Sequence, residues 1–360
     1  MSLNNPPPRS AARASVPLTL LVVAILVSAG VAIAGTAIYF DLRPGSAAQA
    51  PGLGPNRTTI VDDLGREMSV PLNASRIVVL APSIMDLVYR MGLRDRVVGI
   101  GCTVGISGGM ENEYSPNQTA LWNLSSSMCI TDFPSLDTSG VALLEPQLVL
   151  ASTLTSVLDV DTLVTTYGLP VVMFSPSTLE GIVGDVRLMT EIFPSSSAVG
   201  TALESTLEQT LVNATNFDTG LSTNGTAIPS VLVTYGFYSG DYYTYGPGSF
   251  GQSIVDLAGG DSISAGLPLE YAGLNASAVL LDQPQVILYG TSWNDPYLVS
   301  GQTPSVWTST APYWDQLNGT KVAVDVTLLT EADPTMVLTL PWFLHYLHPT
   351  LVPVPSQLPP

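Results

Sequence analysis

Short runs that are apolar, or apolar and glycine, recur along the chain at Ile77–Leu80, Val97–Ile100, Leu148–Leu150 and Val171–Phe174, then at Val231–Val233, Val286–Leu288 and Val322–Val324. None alternates with polar residues. That pattern belongs to parallel strands buried on both faces, not to half-exposed antiparallel ones. Helical periodicity falls between most of them, so the chain is predicted to be α/β.

The middle of the chain is the most helical. Ser177 and Glu180 predict a capping box. Leu179, Ile182, Val183, Val186, Met189, Ile192 and Phe193 then share one face, and Pro194 ends that helix. Val199, Leu203, Leu207 and Leu211 follow at four-residue steps, predicting a helix of about 18 residues and ~27 Å. Asn216 to Pro229 is expected to be a polar break. This segment reads as a rigid strut between two lobes.

The two halves echo each other. Leu144-Glu145-Pro146-Gln147 before one apolar strand matches Asp282-Gln283-Pro284-Gln285 before another, at a register of 138 residues with Pro146 on Pro284. A strand running into Pro82-Ser83 is matched by one running into Pro247-Gly248-Ser249. Two similar α/β lobes with a cleft between them are the expected architecture.

The ends are different. Val16 to Phe40 carries no charge and follows Arg9 and Arg13. Its 25 residues would span ~37 Å as a helix, enough for a ~30 Å hydrocarbon core, with the N-terminus in the cytoplasm. The segment is expected to be a membrane anchor, or else a signal peptide cut after Ala32-Ile33-Ala34; its length favours the anchor. The chain then divides into a cytoplasmic stretch 1–15, the span 16–40, a tether 41–57, a first lobe 58–176, a helical linker 177–216, a second lobe 217–349 and a Pro-rich tail 350–360.

Composition narrows the function. Net charge is −18 and only 11% of residues are charged, with ten Arg and one Lys. Nucleic acid is excluded as a partner, because phosphate neutralisation needs clustered cations. So few titratable groups suit an exterior surface in an acidic medium, or reflect compositional bias. Eight N-x-S/T sequons, at Asn56, Asn73, Asn117, Asn123, Asn213, Asn224, Asn275 and Asn318, suggest a glycosylated exterior. Cys102 and Cys129 are the only cysteines, and outside a membrane they are expected to form a disulfide. Two Cys without nearby His do not make a zinc site.

Candidate chemistry is sparse. Gly105-Ile106-Ser107-Gly108-Gly109 fits the hydrolase pattern G-x-S-x-G, but polar, turn-rich sequence follows it where the elbow needs a helix. His345 and His348, the only histidines, stand three residues apart in an expected terminal helix Pro334–Leu347 and read as surface or capping residues. No phosphate loop or dinucleotide fingerprint is present. The anomaly is Tyr235 to Tyr245, six aromatics among small residues directly after a strand. Ligands of open α/β lobes sit beyond strand carboxyl ends, and Tyr suits a large, partly polar ligand. Candidate ligand contacts are Ser83, Met85, Tyr114, Trp122, Tyr235, Tyr238, Tyr242 and Trp293; the competing reading of the aromatic segment is a packed hairpin.

Thr59-Ile60-Val61-Asp62-Asp63-Leu64-Gly65-Arg66, Arg76 to Ser83, Leu144 to Ala151 and Tyr245-Gly246-Pro247-Gly248-Ser249-Phe250 form an ordered set. The set resembles the periplasmic-type binding proteins of ABC importers for cobalamin and ferric siderophores. The resemblance spans about residues 58–349. It implies two Rossmann-like lobes joined by one long helix, limited hinge motion, no enzymatic activity, no cofactor of its own, and delivery of a metal chelate or corrinoid to a permease and its ATPase. The family's docking Glu on each lobe falls on Ser139 and Ser277, and Asp137 and Glu270 are the nearby acids that could replace it. A membrane-anchored adhesion or sensing protein on the same fold is the second expectation.

Overall fold

A computed structural model describes residues 56–103, 116–133, 135–291 and 305–356. The expected anchor, the expected tether up to residue 55, Ser107, Tyr114 and Trp293 lie outside the described residues, and Arg57, expected in the tether, is already strand.

The chain opens with an antiparallel hairpin, β1 (Arg57–Val61) and β2 (Glu67–Pro71). The first lobe holds β3 (Ile77–Val79), β4 (Val97–Thr103), β5 (Cys129–Phe133), β6 (Leu148–Ser152) and β7 (Val171–Phe174) in the order β5-β4-β3-β6-β7, all parallel. β3 and β7 are buried at every position, as strands covered on both faces must be. Helices α1 (Pro82–Arg90), α2 (Pro116–Leu121), α3 (Thr138–Leu143) and α4 (Val157–Thr165) connect them. The chain enters at β3, winds out to β5, then returns to β6, so the direction of winding reverses between β3 and β6. In doubly wound sheets that reversal opens the binding crevice at the strands' carboxyl ends.

The second lobe is a mixed sheet of β8 (Ser230–Tyr238), β9 (Asp241–Tyr245), β11 (Tyr271–Asn275), β12 (Val286–Thr291) and β13 (Thr320–Asp325), in the order β11-β9-β8-β12-β13, with the short β10 (Asp261–Ser262) also on β8. β8, β12 and β13 are parallel, while β9 and β11 add antiparallel strands. Its helices are α7 (Phe250–Leu257), α8 (Ala276–Asp282), α9 (Ser305–Thr310), α10 (Thr327–Thr330) and α11 (Pro334–Leu347). The lobes therefore form the expected α/β pair, though the second sheet is only partly parallel.

Between the lobes lie α5 (Leu179–Ile192) and α6 (Ser197–Asn224). Thr178, not Ser177, caps α5, its hydroxyl accepting from the Gly181 N–H. α6 is 28 residues long, about 42 Å, so most of the expected break after Asn216 is helical. The apolar stripe simply continues through Ala214, Phe217 and Leu221 against the core, and Thr215, Thr219 and Thr223 turn their hydroxyls back onto carbonyls four residues earlier. Gly225, at φ 63°, ends it in the left-handed conformation.

The internal echo is structural. Glu145 and Gln283 both adopt left-handed backbone, at φ 45° and 44°, directly after α3 and α8. Gln147 and Gln285 then each accept an N–H from the neighbouring strand's entry, at Ser75 and Ser230. One helix-to-strand device thus registers β6 on β3 and β12 on β8.

Cys102 and Cys129 form a disulfide between the adjacent strands β4 and β5, with Cα atoms 5.4 Å apart. A thiol assay on the denatured, unreduced protein should find no free thiol; two per chain would remove the bond.

Candidate functional site

A cavity of about 150 Å³ lies between the lobes. The first lobe contributes Ser83 and Leu87 of α1, Ser152 to Leu154 after β6, and Phe174 to Pro176 after β7. These are the carboxyl ends of strands flanking the winding reversal. The linker supplies Ile182 and Asp185 from α5. The second lobe supplies Tyr235, Tyr245, Phe250 and Tyr271, with Thr330, Ala332 and Pro334 from the passage into α11.

The aromatic wall follows from strand alternation. Tyr235 on β8 packs on Tyr243 and Tyr245 of β9, with ring centroids 6.3 and 5.1 Å apart, and Tyr245 in turn meets Phe250 and Tyr271. Burial raises the phenols of Tyr235, Tyr245 and Tyr271 above their ordinary range, so they stay neutral hydrogen-bonding groups.

The predicted contacts separate. Ser83 and Tyr235 line the cavity. Tyr242 does not: it points to the opposite face of the sheet, fully buried with Tyr289 and Trp307, and its hydroxyl donates to the Pro312 carbonyl. Tyr238 is exposed beside the hairpin turn Ser239-Gly240. Of these two rings Tyr242 is packed and Tyr238 is in solvent, and neither lines the cavity. Met85 and Trp122 sit in the main core, Trp122 against Tyr89. Sequence reading overlooked Phe174, Phe250, Tyr271 and Asp185. Asp185 carried a signal, being an acid inside the apolar stripe of α5.

Among the described residues no Lys or Arg lines the cavity. Arg90 pairs with Asp86 at 2.8 Å and donates to Thr335 at 2.7 Å. Arg187 pairs with Glu204 and Glu208 on α6. Arg94 and Arg96 donate to backbone carbonyls. Behind the cavity, the Thr335 N–H and hydroxyl both donate to Asp86, which ties α1 to the start of α11 across the lobes.

Asp62 fixes the first hairpin onto β7. It accepts from Arg66 and from the Met173 N–H, and Arg66 reaches the Val171 carbonyl. That contact carries Asp63 to the cavity edge, where it accepts the Ser175 N–H at 2.5 Å and meets Asp185. Burial and the neighbouring Asp63 push Asp185 up to about 9.

Asp137 caps α3, accepting from Ser139 and Gly140, which holds its exposed carboxyl below the ordinary carboxylate range. Its counterpart at the same register is Asn275, the cap of α8. Ser139, Ser277 and Glu270 are all exposed. His348 caps α11 and meets the Gly259 carbonyl, while His345 meets that of Val352. Among the described residues no group of His, Cys, Asp and Glu could hold a metal ion, and no helix is long and apolar enough to cross a membrane. The sequons at Asn56, Asn123, Asn213, Asn224, Asn275 and Asn318 are exposed, whereas Asn73 is partly buried and accepts the Ser195 N–H. Asn117 lies on α2.

No protein-family model and no curated protein matches the sequence. Solved structures do. The periplasmic vitamin B12 binding protein BtuF of Vibrio cholerae superposes with a TM-score of 0.58 at 18% identity, covering 77% of this chain and 98% of that one. An ABC-type Fe3+-hydroxamate transport system protein of Saccharomonospora viridis gives 0.59 at 17%, covering 80% and 97%. A periplasmic heme-binding protein of Pseudomonas aeruginosa gives 0.59 at 16%, covering 77% and 94%. The two lobes, the joining helix and the cleft between them are thus the fold of periplasmic binding proteins, the fold that the sequence motifs imply.

Proposed function

We propose that this chain is the extracytoplasmic solute-binding subunit of an ABC importer, capturing a metal chelate or corrinoid between its lobes and delivering it to a permease. The observation that carries this reading is the inter-lobe cavity, walled by the rings of Phe174, Tyr235, Tyr245, Phe250 and Tyr271 and, among the described residues, free of cationic side chains. Such a wall suits a bulky, partly apolar ligand. A trianionic ferric catecholate would be buried there without a paired cation, which is costly. A cobalamin-like ligand or a neutral ferric hydroxamate fits better. The residues form a binding surface, and the role is capture, not catalysis. The uncharged segment 16–40, as an anchor or a cleaved signal peptide, supports a location of the lobes outside the membrane, and the exposed sequons suit that side. Asp137 and Glu270 are the exposed acids offered to permease cations.

Titration with cyanocobalamin and with ferrichrome, followed by tyrosine and tryptophan fluorescence, tests the proposal. Wild type should bind at least one of them. Tyr235→Ala and Tyr271→Ala should each weaken that binding by about 1–3 kcal/mol with little change in the melting temperature of the unliganded protein. Loss of stability in step with affinity would assign these rings to packing alone.

A further inference from the structure

Among the described residues Asp185 is the one carboxyl lining the cavity, and it is 4% exposed. Its neighbours on the buried face of α5 are Ile182, Val186 and Met189. Its Oδ1 is sealed from solvent without a hydrogen-bond partner. Apolar packing does not need an acid here, and an unpaired buried acceptor is costly to keep.

The second acid explains its state. Asp63 neighbours Asp185, and burial together with that second carboxyl raises Asp185. Asp185 is buried while Asp63 is exposed, so the negative charge rests on Asp63 and the proton on Asp185. Asp63 also accepts the Ser175 N–H, which favours the negative charge on Asp63 and the proton on Asp185. The other groups around the pair do not displace it. Asp62 is engaged by Arg66, and the facing phenols of Tyr235, Tyr245 and Tyr271 are neutral. With its proton turned towards the Asp63 carboxylate, Asp185 keeps one oxygen as a carbonyl-type acceptor and has no further proton to donate.

Resting on the function proposed above, we infer that Asp185, backed by Asp63, is the specificity-determining acceptor of this cleft, taking a hydrogen bond from a neutral amide N–H or hydroxyl on the bound chelate. The cleft therefore selects chelates rimmed by carboxamides or hydroxyls. A carboxylate rim would bring a second acceptor against Asp185 and a like charge against Asp63, with no Lys or Arg among the described residues of the wall to offset it.

The matched probes are cyanocobalamin, whose corrin is rimmed by carboxamides, and cobyrinic acid, whose corrin is rimmed by carboxylates; ferrichrome is the neutral hydroxamate. Wild type should bind cyanocobalamin or ferrichrome at least about tenfold more tightly than cobyrinic acid or hemin, the worth of one buried hydrogen bond. Asp185→Asn should stay within about threefold of wild type, because its amide N–H can donate to Asp63 while its oxygen still accepts. Asp185→Leu should lose about tenfold or more, and its unliganded melting temperature shows whether it is folded. Equal binding of the carboxylate-rimmed probes overturns the inference and leaves the binding-protein reading standing, and this comparison needs no variant. So does unchanged affinity in Asp185→Leu. A loss in Asp185→Asn as large as in Asp185→Leu overturns it in favour of a cationic ligand group. Failure of wild type to bind any of the four probes overturns both the proposed function and this inference.

Discussion

The melting temperature of this protein should rise on acidification from about pH 9 to about pH 4. Asp63, Asp86, Asp185, Asp256, Glu270, Asp325, Glu331 and Asp333 are all raised above their ordinary values, in each case chiefly by burial. Glu331 and Asp333 are raised further by each other's surroundings, including Asp86. An acid with a raised folded-state value holds its proton in the native chain at pH values where the unfolded chain has lost it. Stability therefore falls as pH climbs through that window. For Asp185 the window runs from the ordinary 3.8 to about 9. Its contribution is full at the acidic end and gone at the alkaline end. Asp137 is shifted the other way, but it is exposed and opposes little. The net charge of −18 acts in the same direction, since protonation relieves self-repulsion. Asp185 alone would supply on the order of 5 kcal/mol across the window. That corresponds to about 10 °C or more in melting temperature. Calorimetry across the range measures it, and Asp185→Asn should flatten the curve. A maximum near neutrality, with the usual decline on the acid side, would sink the argument.

Much of this architecture is written locally. A strand covered on both faces has to be apolar throughout, so β3, β6, β7, β8 and β12 announce themselves as short runs. Helix α11 has the bounds that Pro334 and the terminal histidines suggest. The echo around Pro146 and Pro284 survives as paired left-handed residues because the same helix-to-strand corner is built twice. What the chain does not show locally is parity. Tyr238, Tyr242, Tyr243 and Tyr245 look equivalent in sequence. The turn at Ser239-Gly240 and the irregular register between Thr234 and Gly236 decide which rings face the cleft. Tyr242 goes to the far side because Trp307, distant in sequence, packs there. Met85 and Trp122 follow strands, as cleft residues do, yet both are covered by the core. Asp185 could have been found: it shares the buried face of α5 with Ile182 and Met189, and an acid in that position needs a reason.

Replacing Arg90 by Met should cost about 3–5 kcal/mol of stability near pH 8, the usual loss when one partner of a buried ion pair is removed. Asp86 is 2% exposed, and Arg90 is its one ion-pair partner among the described residues. Without that guanidinium any charge on Asp86 would sit in a dry site beside Asp333 and Glu331, with only the Thr335 N–H and hydroxyl to stabilise it. Met fills much of the arginine stem's volume, so the loss reports the charge more than a cavity. Two features separate this from a packing defect. Asp86→Asn combined with Arg90→Met should recover most of the loss, because no buried charge is then left unpaired. The cost of Arg90→Met alone should also shrink near pH 5. Burial already raises Asp86 in the presence of Arg90, and without Arg90 it rises further, so protonation removes the uncompensated charge. Urea unfolding of wild type, both single variants and the double variant at the two pH values measures each term. A loss under about 1 kcal/mol at pH 8, or the same loss at both pH values, would show that the link between α1 and α11 does not depend on this pair. If the costs follow the expected pattern, Asp86, Arg90 and Thr335 form an electrostatic clasp behind the cavity.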